Sequence, residues 1–385
     1  MVLFGDRLTQ ACNETQSYVC IGLDPRWEQI PDHIKRRAAR CYGKWKTDAD
    51  VHPEARRDAY IDFNTLIIEA NAGKAPVVKP QRAFYEFGQN GEGDQAFFTV
   101  CNHAKANGFL VDEDAKRNDI FTTAEAYAAF HLGHDCIDVM TVNSYLGFDG
   151  VKPFLVYADS ETGKGIFLLA RTSNPSAGDF QDELSILRDT ERDLIAERLE
   201  KAGLASLYEC SPVFARKGDV KKVGKDGKEI LFEEDTFGRQ FIDAHPDVAV
   251  APNYVRMALL TDKWGEESRG ESGWSSVGAV VGATWPKEGQ ILRALMPYTI
   301  FLIPGYGKQG GTAEDIPLFA GDPSVNPGGI LVNSSRQVNF AYKEEKWKGR
   351  FKPTDFHHAA AAEVDDMNAK INSALEEAGK LPWVA

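Results

Sequence analysis

Short runs of apolar and β-branched residues recur along the chain, each followed by a polar or glycine-containing turn. Eight stand out: YVCIGLD (18–24), APVVKP (75–80), FLVDEDAK (109–116), CIDVMTVN (136–143), GIFLLARTS (165–173), VGAVVGAT (277–284), TIFLIPG (299–305) and GILVNSS (329–335). Their apolar character is nearly continuous rather than alternating, which predicts strands buried on both faces. Between them the period becomes helical. DAYIDFNTLIIEANAG puts Tyr60, Phe63, Ile67 and Ala70 on one face and stops at Gly73. QAFFTVCNHAKANG, AEAYAAFHLG and ERDLIAERLEKAG repeat the device with Gly108, Gly133 and Gly203. Strand–helix alternation predicts a parallel sheet with helices outside, and eight units predict a closed (β/α)8 TIM barrel. Residues 1–385 read as one such domain, with insertions after strands one and five at about 26–60 and 204–270. The first insertion holds a basic helical piece, HIKRRAARCYGKW. The second holds DVKKVGKDGKEILF, whose Lys-Asp-Gly centre predicts a β-hairpin turn.

Composition narrows the partners. The net charge of −13 argues against nucleic acid or an anionic membrane, yet allows one small anion in a local basic pocket. No apolar run reaches the ~18 residues of a membrane span. MVLFGDRLTQ carries Asp6 and Arg7 where a secretory signal is apolar, so a cytoplasmic protein is expected. Cysteines 12, 20, 41, 101, 136 and 210 form no CxxC pair and read as reduced thiols. His131/His134 and His357/His358 lack an HExxH setting and read as surface or helix histidines; no metal site is expected.

In a barrel of this kind, reacting groups gather at the C-terminal strand ends. Asp24, Lys79, the Asp114/Lys116 pair, Ser173 and Arg336 all fall there. Asp24 taken alone reads as a turn former or N-cap rather than a functional group. Lys79, between Val78 and Pro80, is either functional or snorkelling. Asp112, Asp114 and Lys116 share strand parity and are expected to project to one face. A lysine among carboxylates keeps its charge, and a fixed cation suits a reaction that builds negative charge on carbon. Asp112 either shifts that lysine's proton affinity or is solvated. The glycine-rich IPGYGKQGG after strand seven, with Gln309 in it and Arg336 after strand eight, lies at the usual phosphate site of barrels.

The run Asp114, Lys116, Asp119, Ile120, followed by Thr123, resembles the signature of the orotidine 5′-phosphate decarboxylases. GLDPR (22–26), VVKPQ (77–81), TSNPSA (172–177), VVGATWP (280–286), IPGYGKQGG and VNSSR occur in that family's order, over roughly residues 15–345. VKPQ, VVGAT and PGYGxQGG resemble its longer bacterial (type 2) subfamily. The resemblance implies decarboxylation of orotidine 5′-monophosphate to uridine 5′-monophosphate without a cofactor, in a homodimer with its sites at the interface. It implies that Lys116 protonates C6, that Asp114 lies beside the substrate carboxylate, and that Asp119 reaches the neighbouring subunit's site with Ile120 and Thr123. Lys79 and Asp24 would touch the ribose, Ser173 the pyrimidine amide edge and Pro304 the ring. Gln309 and Arg336 would hold the phosphate. Asn118 stands where close relatives carry Gly, and Asn tolerates left-handed backbone. A metal-dependent sugar-phosphate decarboxylase or epimerase on the same barrel, or a silent nucleotide sensor, are the alternatives.

Overall fold

The computed structural model describes residues 2–45, 47, 50–204, 221–223, 229–231 and 249–383. In chain order its strands are β1 (Val19–Leu23), β2 (Val77–Pro80), β3 (Leu110–Arg117), β4 (Val139–Val142), β5 (Gly165–Arg171) and β6 (Leu184–Ile186). They continue with β7 (Lys221–Val223), β8 (Glu229–Leu231), β9 (Val250–Pro252), β10 (Val277–Val281), β11 (Phe301–Ile303) and β12 (Ile330–Ser334). The eight expected strands are all present and close into a barrel in the order β1-β12-β11-β10-β5-β4-β3-β2. Every pairing around it is parallel. Every residue of β1, β2, β4, β10, β11 and β12 is buried, because barrel interior and helix layer cover both faces; this is why their sequences lack alternation.

The expected helices are Asp32–Tyr42, Pro53–Ala70, Glu92–Ala106, Phe121–Leu132 and Asp189–Lys201. Others join them, including Phe4–Thr15, Phe148–Leu155, Asn253–Trp264, Pro286–Leu295 and the long Phe356–Glu377. The helix Phe4–Thr15 covers the N-terminal end of the barrel. Its Phe4 ring meets Phe167 edge-on at 6.2 Å, and Arg7 donates to the Gly163 carbonyl at 2.6 Å and to Asp138. Asp138 also accepts from Lys105 Nζ at 2.8 Å and from the Val111 N–H at 2.8 Å. One buried carboxylate thus ties three elements below the strands.

The connection from β5 to β10 departs most from a plain barrel. β6 and β9 pair antiparallel, and so do β7 and β8, the two arms of the expected hairpin. Its turn, 224–228, and most of the insertion expected at 204–270 lie outside the described residues. The last part, Asn253–Trp264, is a helix packed on the barrel, with the Tyr254 ring 5.1 Å from the Arg171 guanidinium. Among the described residues, Cys12, Cys20, Cys41, Cys101 and Cys136 are free thiols, and no helix is long and apolar enough to cross a membrane.

Candidate active site

Asp114, buried near the C-terminal end of β3, accepts four side-chain hydrogen bonds. Lys79 Nζ binds one oxygen and Lys116 Nζ the other. Gln81 Nε2 joins Lys79 at 2.9 Å, and Thr141 Oγ1 joins Lys116 at 3.1 Å. Burial alone would raise the Asp114 pKa, but the two ammonium groups outweigh it and hold the carboxyl well below its usual range. Burial likewise works against the charge on Lys79, yet Asp114, then Asp24 and Asp112, drive its pKa upward. Lys79 is therefore a fixed buried cation, and the snorkelling alternative is excluded.

Lys116 reaches Asp114 by a different backbone path from the one strand parity suggests. The β3–β4 register shifts between Glu113 and Arg117, and Lys116 has φ +49°. Left-handed backbone is uncommon for a residue with a long side chain and has to be held by its surroundings. The Lys116 N–H donates to Thr141 Oγ1 at 3.1 Å, and the Arg117 carbonyl accepts from the Asn143 N–H at 2.9 Å. The side chain stays 45% exposed at the barrel mouth with its ammonium on Asp114. The left-handed residues of this stretch are Lys116 and Phe121; Asn118, for which the sequence suggested that role, is not among them.

Asp112 is fully buried, which removes the solvated alternative. Neither of its oxygens has a hydrogen-bond partner among the described residues, and burial, opposed by Lys79, pushes its carboxyl up to about 8. Asp24 follows β1, hydrogen-bonded by Ser335, and burial raises its pKa against the pull of Lys79. The tight approach of β12 to β1 requires Gly22, where a Cβ would lie 1.9 Å from Ser335 Oγ.

A second group lies around the β5, β10 and β11 ends. A Cβ on Gly305, whose φ is +97°, would fall 3.2 Å from both Ser173 Cβ and Gln309 Oε1. One on Gly282 would lie 2.9 Å from Ser173 Cα, so Ser173, Gly282, Gly305 and Gln309 form one cradle. Pro304 enters it, its carbonyl accepting from the Ala283 N–H at 2.8 Å. The loop closes through Gly307 N–H to the Gly311 carbonyl at 2.8 Å. Gly307 touches Gln337, next to the exposed Arg336 that opens the helix Arg336–Asn339. The Gly-rich loop therefore lies against the residue that follows Arg336.

Asp119, Ile120 and Thr123 are not brought to this constellation by the chain's own fold. Asp119 Oδ1 accepts from the Ile120 N–H at 2.8 Å, while Ile120 and Thr123 are exposed. They belong to an outward surface with exposed Phe121, Tyr145, Leu146 and Phe148. The sequence reading missed Gln81 and Thr141, both bound to Asp114. The available signal was a polar residue directly after VVKP and one inside the apolar VMTV. His131, read as a surface or helix residue, lies on a helix but is buried against Glu113, with Nδ1 2.8 Å from Oε1.

The chain matches the model of the orotidine 5′-phosphate decarboxylase / HUMPS family over residues 17–231. It is 33% identical to an orotidine 5′-phosphate decarboxylase of Rhodopirellula baltica, covering 96% of this chain and 99% of that one. It is 30% identical to one of Caldicellulosiruptor bescii, over 97% and 100% of the two chains. The fold is similar to that of the solved Leishmania donovani OMP decarboxylase, with TM-score 0.56 and 24% identity over 96% of this chain and 99% of that one. A Plasmodium berghei orotidine 5′-monophosphate decarboxylase gives TM-score 0.59 at 18% identity, over 96% and 99%.

Proposed function

We propose how this site works from one premise: the chain belongs to the orotidine 5′-phosphate decarboxylase / HUMPS family. It is a carboxy-lyase that converts orotidine 5′-monophosphate to uridine 5′-monophosphate in pyrimidine biosynthesis. The observation that carries the mechanism is one buried carboxylate, Asp114, gripped by two lysines at the mouth of the barrel.

Loss of carbon dioxide from C6 leaves an electron pair in the ring plane, where the π system does not delocalise it. Fixed charge has to stabilise it. An ammonium ~4 Å from a unit negative charge contributes about 4 kcal/mol at an effective dielectric of 20. Lys116 supplies that charge and then the proton at C6. Asp114 lies beside the departing carboxylate and orients Lys116 with Lys79, so the charges are in place before the reaction begins. Lys79 and Asp24 bind the ribose. Ser173 bonds the amide edge of the pyrimidine, and Pro304 packs against the ring. Gln309, Arg336 and the Gly305–Gly311 loop hold the phosphate, whose binding energy draws the loop over the site. Asp119 of the partner subunit completes the charge array, with Ile120 and Thr123 beside it; the exposed apolar surface around them supports a homodimer with shared sites.

The chemistry uses protein side chains only, and Lys79 stands at the strand-two end where a metal-binding relative would carry an acid. Loss of orotidine 5′-monophosphate absorbance tests this. The wild-type protein should turn over equally with and without EDTA, and Lys116→Ala should lose at least a thousandfold in kcat. An EDTA-sensitive wild type, or an active Lys116→Ala, overturns the assignment.

A further inference from the structure

Behind β3, on its helix-facing side, lies a second charge cluster that the reaction does not touch. Glu113 is buried there, its Oε1 2.8 Å from His131 Nδ1 and 3.9 Å from Arg82 Nε. Arg82 also pairs with Asp94, and its guanidinium lies 4.6 Å from the Phe97 ring centroid. Arg117 spends its donors in three directions: Nε to His131 Nε2 at 3.1 Å, Nη1 to the Ala115 carbonyl at 3.1 Å, and Nη2 to Glu86 Oε1 at 3.0 Å. An arginine only donates, so His131 Nε2 must accept, and the ring proton sits on Nδ1, donated to Glu113. The hydrogen-bond roles of the ring are thereby fixed, Nε2 accepting and Nδ1 donating.

The Nη1 bond spans the kink. It joins residue 117 to the carbonyl of residue 115, one residue either side of Lys116 with its φ of +49°. On the inner side of the strand, Thr141 takes the Lys116 N–H. We propose that Arg117, aimed by His131, is a positioning residue that clamps the left-handed turn at Lys116 and so delivers its ammonium to Asp114. Without the clamp a lysine gains by leaving the left-handed well, a conformation that disfavours L-residues with a Cβ. The inference rests on the reading of Lys116 as the proton donor. It adds that the donor's placement is set from the opposite side of the strand.

A misplacement of about 1 Å costs on the order of 100-fold in rate. Arg117→Ala should therefore lower kcat by about that factor while KM stays within a few-fold, because the phosphate cradle is untouched. Added guanidinium should restore part of kcat. His131→Gln, whose amide can accept from Arg117 and donate to Glu113, should retain most of kcat, whereas His131→Leu should behave like Arg117→Ala. A crystal structure of Arg117→Ala should show φ of residue 116 moved to negative values. Wild-type kcat in Arg117→Ala, with Lys116→Ala inert in the same assay, overturns the clamp and leaves the proton donor standing. Loss of kcat that guanidinium does not restore, with φ of residue 116 unchanged, also overturns it. Should wild type itself fail to turn over, the reading of Lys116 fails, and φ of residue 116 in the variant still decides the clamp.

Discussion

Asp112 and Asp114 are two residues apart on one strand, both buried, and their proton affinities move in opposite directions. The difference lies in their partners. Asp114 has four donors, two of them cationic, whereas Asp112 has none among the described residues. The consequences for stability have opposite signs. Asp114, depressed in the folded state, contributes stability that is present above the ordinary aspartate value of 3.8 and lost as pH falls through the still lower folded value. Asp112 is raised from 3.8 to about 8, so the folded protein holds a proton that the unfolded chain releases. Its contribution is greatest below 3.8 and is lost as pH rises to about 8. Between about pH 5 and pH 8 that one proton makes the unfolding free energy fall by roughly 1.4 kcal/mol for each pH unit, and Asp112→Asn should remove this slope. Urea unfolding at a series of pH values measures this, and an unchanged slope would mean that Asp112 is ionised in the folded protein.

At the scale of elements, the barrel strands end in devices that bring chains closer than side chains normally permit. Gly305 is the clearest, with a positive φ and Ser173 and Gln309 both within 3.2 Å of an added Cβ. Gly305→Ala should spread the cradle and raise KM by about tenfold, equivalent to 1.4 kcal/mol of binding, within the 1–3 kcal/mol typical of such backbone strain. Steady-state kinetics would show it, and an unaltered KM would place the phosphate elsewhere. These devices also mark what the sequence could reveal. All eight strands were legible, because burial on both faces leaves unbroken apolar runs such as VCIGL and VGAVV. Phe4–Thr15 was not read as a helix, since only a narrow stripe of Phe4, Gly5, Leu8 and Cys12 is buried in an otherwise polar segment. The long Phe356–Glu377 helix was not read either: its buried face of Phe356, Val364, Met367, Ile371 and Leu375 is interrupted by Ala359, Ala360 and the buried Glu363, which dilutes the hydrophobic contrast. The Asp114–Lys116 pairing was legible from strand parity, but the kink producing it was not. That kink depends on Thr141, Arg117 and His131, which come together only once β3, β4 and a helix are packed. Gln81 escaped for a similar reason: its role appears only when β2 lies beside Asp114.

For the whole molecule, a net charge of −13 surrounds a mouth where Lys79 and Lys116 are paired with Asp114, so the steering of an anionic substrate falls to the exposed Arg336. Ile120, Phe121, Tyr145, Leu146 and Phe148 leave apolar side chains exposed beside that mouth. If a second copy covers them, Tyr145→Asp, at a residue 67% exposed, should shift the sedimenting species from dimer to monomer and reduce turnover with it, because Asp119 would no longer reach a neighbour's site. A fully active monomer would remove the partner from the mechanism. At the N-terminal end of the same strands, Asp138 gathers Arg7, Lys105 and the Val111 amide, three residues along β3 from Asp114. Arg7→Ala, which removes the tie from the first helix but leaves β3 and β4 in place, should lower the melting temperature with kcat unchanged, so heat tolerance and chemistry are set at opposite ends of one strand.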